Sequence, residues 1–141
     1  MLEKVQQLFG LIAPVLNDPS TSLESKVEVF VALYIDMISE HPDLPLFVLS
    51  EIRNHPDHFA ETFHVGQLLT HSSFVQQLKE QRPDIHPLHF LMNTMSMTLF
   101  PFIAMPVFKA IGAADESQFK AMMQERKSLI PIWIKAMLKA R

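Results

Sequence analysis

Residues 85–108 read IHPLHFLMNTMSMTLFPFIAMPVF, and this stretch decides the fold. Its 24 residues contain no Asp, Glu, Lys or Arg. Because a helix that is apolar all round must be covered all round, the stretch predicts a helix from about His86-Pro87 to Gly112 that needs more cover than a chain of 141 residues easily supplies. Its two apolar stripes are Leu88, Leu91, Met95, Leu99 and Phe102, and Phe90, Met97, Phe100, Ala104 and Phe108.

A membrane span is the alternative that such a stretch raises. Polar residues and two prolines interrupt it, no second candidate span is present, and no Lys or Arg cluster flanks it. The N-terminus carries no secretory signal pattern, and the absence of cysteine fits a reducing compartment. We therefore expect a cytoplasmic protein that does not enter the membrane.

The residues after Gly112 predict a last helix from Asp115 to about Ala140. Asp115 and Gln118 have the spacing of a capping box, in which each side chain bonds the other residue's backbone amide. Along this helix, apolar residues at alternating steps of four and three form a coiled-coil-like seam with Arg126 as its polar position. A further apolar set comprises Met122, Leu129, Ile132 and Ala136.

Two adjacent helices with surplus apolar faces predict self-association. We expect the last two helices of each chain to form a four-helix bundle about a two-fold axis, with Pro101, Pro106 and Pro131 bending them. The alternative is that all these residues belong to the chain's own core. The predicted interface residues are Phe102, Phe108, Phe119, Met123, Ile130, Trp133 and Met137.

The rest of the chain also predicts helices. Leu2 to Leu16 has a helical stripe, Thr21 to Glu24 has the form of a capping box, and Pro42 and Pro56 fit first helical turns. We expect helices near 42–53 and 56–81, the second open to a break at Gly66 or at His71-Ser72-Ser73. The predicted fold is an all-α bundle of about five to six helices in one domain, 1–141.

Several stretches, in the right order over about residues 20–139, resemble the C-terminal regulatory domain of TetR-type bacterial transcriptional regulators. LYIDMISEHPDLPLFVLSEI (33–52), continued by RNHP (53–56), looks like the family's tyrosine-bearing helix followed by Asn-Pro-Glu-Leu-Pro and Ser-Glu. FPFIA (100–104) looks like part of its penultimate helix, and 125–127 with 132–138 looks like its last helix. His86-Pro87 departs from the Asp-Pro that many relatives carry.

The resemblance implies a homodimeric domain in which a small effector alters the angle between two subunits and so the spacing of DNA-reading heads. Nothing in this sequence resembles the helix-turn-helix that reads DNA in such regulators, so we expect this chain to act as the regulatory part alone. An apolar or aromatic effector fits a pocket of adaptable side chains. The candidate ligand-binding residues are Phe30, Tyr34, Met37, Phe63, Phe74, Met92, Met95 and Met97.

Other functions find less support. Residues 1–108 hold 12 acidic and 5 basic side chains, and residues 109–141 hold 3 acidic and 7 basic, so we expect no direct nucleic-acid contact. His55 with His58 and His86 with His89 have helical spacing but no third ligand, which argues against a metal site. No catalytic motif is present, and we expect neither an enzyme nor a cofactor. The alternative function is a stand-alone helical adaptor whose apolar last two helices bind a different protein or a full-length relative.

Overall fold

Eight helices account for most of residues 1–140, the part of the chain that the computed structural model describes. No strand occurs in this range, which confirms the all-α prediction, although the count exceeds five or six. The helices are α1 (Leu2–Leu16), α2 (Leu23–Glu40), α3 (Leu44–Asn54), α4 (Pro56–Thr62), α5 (Val65–His71), α6 (Ser73–Gln81), α7 (Pro87–Ala110) and α8 (Glu116–Lys139).

The additional helices come from residues 56–81, where three short helices are found; the break that the sequence allowed at His71-Ser72-Ser73 is confirmed, and the break at Gly66 is wrong. The first break lies at His64, whose backbone is left-handed with φ of 52°. The second lies at Ser72, whose extended backbone ends α5 and whose hydroxyl accepts a hydrogen bond from the Val75 amide at the start of α6. Gly66 lies inside α5 and breaks nothing.

Helix ends elsewhere follow the local chemistry closely. Gly112, with φ of 73°, ends α7 in a Schellman motif, since its amide bonds the Lys109 carbonyl and the next amide bonds the Phe108 carbonyl. Asp115 and Gln118 form the predicted capping box of α8. At α2, however, the predicted box is wrong because the cap is Ser22.

The start of α2 and that of the next helix each differ slightly from the prediction. Thr21 does not cap the helix; its hydroxyl and carbonyl oxygens instead accept hydrogen bonds from the buried Lys26 ammonium. Helix α3 begins at Leu44 rather than beside Pro42, and Pro45 supplies the proline of its first turn. In both places the prediction found the correct turn but placed the start of the helix one or two residues too early.

The main core lies where α2 packs against α1 and α8, with α6 and α7 closing it. A second, smaller cluster joins α1, α3 and α4 around Val5, Leu44 and Phe63, with Phe9 stacked on Phe63 at 4.6 Å between ring centroids. The main cluster comprises Leu8, Ile12, Leu23, Val27, Val31, Tyr34, Ile35, Ile38, Leu78, Phe90, Phe102, Phe119, Met123, Ile130, Ile134 and Leu138.

Two ion pairs accompany the packing of α2 against α8. Lys135 pairs with Glu28, and Lys127 pairs with Asp36. The later lysine contacts the earlier carboxylate, so the two helices run antiparallel. Two of the basic side chains of the C-terminal segment are thereby engaged by acidic side chains of α2.

Helix α7 buries only one of its faces within the chain. The residues Phe90, Thr94, Thr98 and Phe102 recur every four positions and point into the core. Each threonine hydroxyl donates to the carbonyl oxygen four residues earlier, so these buried polar groups are satisfied inside the helix. About 22% of the residues in the most apolar stretch of α7 are buried, and large apolar side chains such as Phe100 and Val107 are exposed.

By length and composition α7 is long and apolar enough to cross a membrane, and it is the one such helix among the described residues. Core helices of soluble proteins also pass this test. Contacts of α7 with α2, α3, α6 and α8 place its polar buried positions against protein.

Arg82, in the loop between α6 and α7, holds the end of α8. Its Nη1, which carries two N–H groups, donates to the carbonyl oxygens of Leu138 and Ala140 at 2.8 and 2.6 Å, and the Met137 carbonyl oxygen lies 3.3 Å from it. These are carbonyls at the helix C-terminus that lack intrahelical donors. Asp84 accepts two hydrogen bonds from the same guanidinium and orients it.

This contact predicts a pH-dependent stability. The hydrogen bonds from Arg82 lower the pKa of the Asp84 carboxyl to about 2. Because an unfolded aspartate has a pKa of about 3.9, the ionised form stabilises the fold above about pH 4, and this stabilisation disappears as the pH falls toward 2. The Tm difference between wild type and Asp84→Asn, measured by circular dichroism, should therefore close over that interval; a difference that stays constant would contradict it.

Candidate functional site

Large apolar side chains remain exposed along one side of α7 and α8. Their exposed fractions run from 36% at Leu129 to 70% at Ile111. Phe100 and Val107 lie on α7, Ile111 follows it directly, and the α8 positions recur at helical spacing. We call this set the outer face: Phe100, Val107, Ile111, Met122, Leu129, Ile132 and Trp133.

The predicted interface residues divide between this side and the core. The chain's own core buries Phe102, Phe119, Met123 and Ile130. The Phe102 and Phe119 rings lie edge to face, with 5.6 Å between their centroids. Met137 packs against the core, and its sulfur accepts a hydrogen bond from Asn93. Of the seven residues, Trp133 is exposed, at 42%, and Phe108 is partly exposed.

A groove of about 630 Å³ runs between α7 and α8. It joins the two halves of the outer face, because Phe100 of α7 and Met122 of α8 both line it. The loop between the helices contributes Ala113 and Ala114 to its lining. The remaining lining residues are Ser96, Met97, Pro101, Phe108, Phe119, Met123 and Arg126.

Arg126 is the only charged side chain that lines this groove. Its Nη2 donates to the Met97 carbonyl oxygen at 2.7 Å, and its guanidinium lies over the Trp133 ring, 5.3 Å from the centroid. The bond to Met97 has a local cause: that carbonyl is four residues before Pro101, which has no N–H to donate to it. Arg126 thus supplies the donor that the proline removes.

The same guanidinium is incompletely satisfied. Its Nε is buried without a hydrogen-bond partner among residues 1–140, and no carboxylate in that range forms an ion pair with Arg126. Burial lowers the pKa of Arg126, although the group stays cationic at any physiological pH. The groove therefore has apolar walls and one unneutralised cation.

The structure brings some of the predicted ligand-binding residues together and separates others. The rings of Phe30 and Tyr34 are in contact, with 5.1 Å between their centroids. Burial raises the pKa of the Tyr34 hydroxyl. Met37, Phe74, Met95 and Met97 are partly buried against the main core. Phe63 belongs to the smaller cluster, and Met92 is 54% exposed.

A second groove, of about 420 Å³, lies between α1 and α5. Phe63 is the one predicted ligand-binding residue that lines it, together with His64 and His71. The Nδ1 of His71 lies 2.7 Å from the Thr70 hydroxyl oxygen, so this ring nitrogen already has a hydrogen-bond partner. This groove offers no unpaired charge among the residues that line it.

Over the described residues, neither histidine pair has a third metal-ligating side chain close to it. The rings of His86 and His89 are 6.4 Å apart, and His86 caps α7 by accepting a hydrogen bond from the Leu88 amide. Within residues 1–140 no three His, Asp or Glu side chains cluster closely enough to hold a metal ion.

Sequence reasoning missed the groove, although one signal for it was present. A proline inside a long helix leaves a carbonyl without a donor four residues earlier, and a single arginine on the next helix is a natural source of one. Comparison of the chain with protein-family models, with curated proteins and with solved structures gives no match.

Proposed function

We propose that this chain is the ligand-sensing and dimerisation domain of a cytoplasmic TetR-type transcriptional regulator, and that it pairs with a second copy of itself through the outer face. The observation that carries the proposal is the exposed row of large apolar side chains on α7 and α8. Contiguous apolar patches of this kind mark interaction sites on proteins in water.

The charge distribution favours a second copy as the partner. A two-fold interface brings identical surfaces together, so like charges near the axis would repel each other. Helix α7 contributes no Asp, Glu, Lys or Arg side chain up to Phe108. On α8, Lys127 and Lys135 are held by α2, and the charges that remain near the outer face, on the exposed Glu125 and on Arg126 at the groove, are of opposite sign.

Ligand sensing requires a site whose occupancy depends on pairing. A groove that opens beside the outer face meets this condition, because the second copy would cover or reshape it. Any difference in ligand affinity between single and paired chains then shifts the pairing equilibrium by the same factor. DNA contact would come from a separate helix-turn-helix unit.

Native mass spectrometry of the purified chain tests the pairing. We expect a dimer at micromolar concentration for wild type and a monomer for Ile132→Glu, because an isoleucine that is 58% exposed would place a carboxylate in the interface. Trp133→Glu should act in the same way.

Leu46→Glu is the matched control, since Leu46 is 61% exposed but lies on α3. It should remain dimeric. A wild-type monomer over the accessible concentration range would reject the pairing and favour the adaptor function. Dissociation by Leu46→Glu to the same extent as by Ile132→Glu would show that the outer face is not the contact.

A further inference from the structure

The groove between α7 and α8 has the chemistry of a site for one kind of small molecule. Its volume of about 630 Å³ is within the range of roughly 300–1,000 Å³ that small-molecule sites occupy. Aromatic and methionine side chains form its walls, among them Phe100, Phe108 and Met122. Such walls bind aliphatic or aromatic carbon, and besides Arg126 the one polar side chain among residues 1–140 that lines the groove is Ser96.

The cation at the groove is held rather than free to turn away. Arg126 is held by its hydrogen bond to the Met97 carbonyl oxygen on α7 and by a cation–π contact with the Trp133 ring on its own helix. Nε is buried and therefore closed to a ligand, so the donors that the group can offer to an incoming acceptor are those on its Nη atoms.

We propose that the groove binds an amphipathic carboxylate, with an aliphatic tail along the walls and the carboxylate paired with Arg126. The carboxylate neutralises a cation that residues 1–140 leave without an ion pair. A planar guanidinium suits a carboxylate because both groups can form two parallel hydrogen bonds. This inference rests on the ligand-binding half of the proposed function and not on the pairing half, since the groove is complete within one chain.

Fluorescence titration with decanoate tests the site, because Trp133 is the single tryptophan of the chain and lies against Arg126. We expect a saturable change in emission with decanoate below its self-assembly concentration. Decanol, which has the same tail and no charge, should bind roughly ten- to a hundredfold more weakly, the factor that a charge-assisted hydrogen bond represents. Equal affinities for decanoate and decanol would overturn the proposal, as would the absence of saturable decanoate binding.

Variants test the assigned residues. Arg126→Gln should lose affinity for decanoate by a similar factor while leaving decanol unchanged, and Arg126→Lys should retain part of it. Lys120→Gln removes an exposed cation elsewhere on α8 and should bind as wild type does. Unchanged decanoate affinity in Arg126→Gln would reject the assignment.

Should Arg126→Gln unfold, as judged by circular dichroism, Met122→Glu decides instead. Its carboxylate at an exposed wall position would repel decanoate and weaken binding, and undiminished binding would reject the site. Native mass spectra recorded without and with decanoate separate the two proposals. A chain that is monomeric without decanoate but binds it rejects only the pairing, and a chain that is dimeric without decanoate and shows no saturable binding rejects only this inference.

Discussion

Phe90→Ala is expected to lower the free energy of unfolding by about 3–5 kcal/mol, the cost of removing a buried phenylalanine ring and leaving a cavity. Phe90 is 1% exposed and belongs to the main core, where its ring packs against the Phe74 ring with 5.6 Å between the two centroids. It lies on the one face of α7 that the chain itself covers. The loss should be measured by urea unfolding at equilibrium.

The control is Met92→Ala, two residues along the same helix. Met92 is 54% exposed, so its truncation should change the free energy of unfolding by no more than about 0.5 kcal/mol. If the two variants were equally destabilised, α7 would be rotated relative to the core or covered on both sides in solution.

Ile134→Ala should lower the free energy of unfolding by about 2–5 kcal/mol, because Ile134 is fully buried at the contact of α8 with α2. That contact is the most extensive between any two helices of the chain. The cost should be independent of protein concentration, since the cavity lies inside a single chain. Urea unfolding over a range of protein concentrations measures both properties.

Ile132→Ala provides the comparison on the outer face. It should cost little in a single chain, and any larger cost should grow with protein concentration because it would come from pairing. A small effect of Ile134→Ala would contradict the assignment of the inner face of α8.

The parts of the fold that could be predicted from the sequence are those that local chemistry decides. The box at Asp115 and Gln118 and the turn at Gly112 each depend on a few neighbouring residues. Where two local solutions compete, the sequence does not choose between them. Thr21 and Ser22 can both cap a helix, and the contact of Lys26 with Thr21 leaves Ser22 as the cap.

The faces of α7 and α8 could be predicted only in part. Periodicity identifies the inner face of a helix when the other face is polar, and α7 is apolar all round. The seam predicted on α8 therefore combined buried positions such as Ile130 with exposed ones such as Trp133. The groove depends on a hydrogen bond between Arg126 and Met97, 29 residues apart, which no local pattern contains.

The ion pairs between α2 and α8 bear on which packing of these helices is reached. Both pairs are exposed in part, and such pairs add little to the free energy of unfolding. Their value lies in their spacing: the partners are eight residues apart on each helix, so a slip of α8 by one turn, about 5.4 Å, would separate both pairs together. The same slip would take Ile130 and Ile134 out of their places in a close-packed core. The two lysines therefore act as a register mark, favouring the one alignment that the buried residues also require.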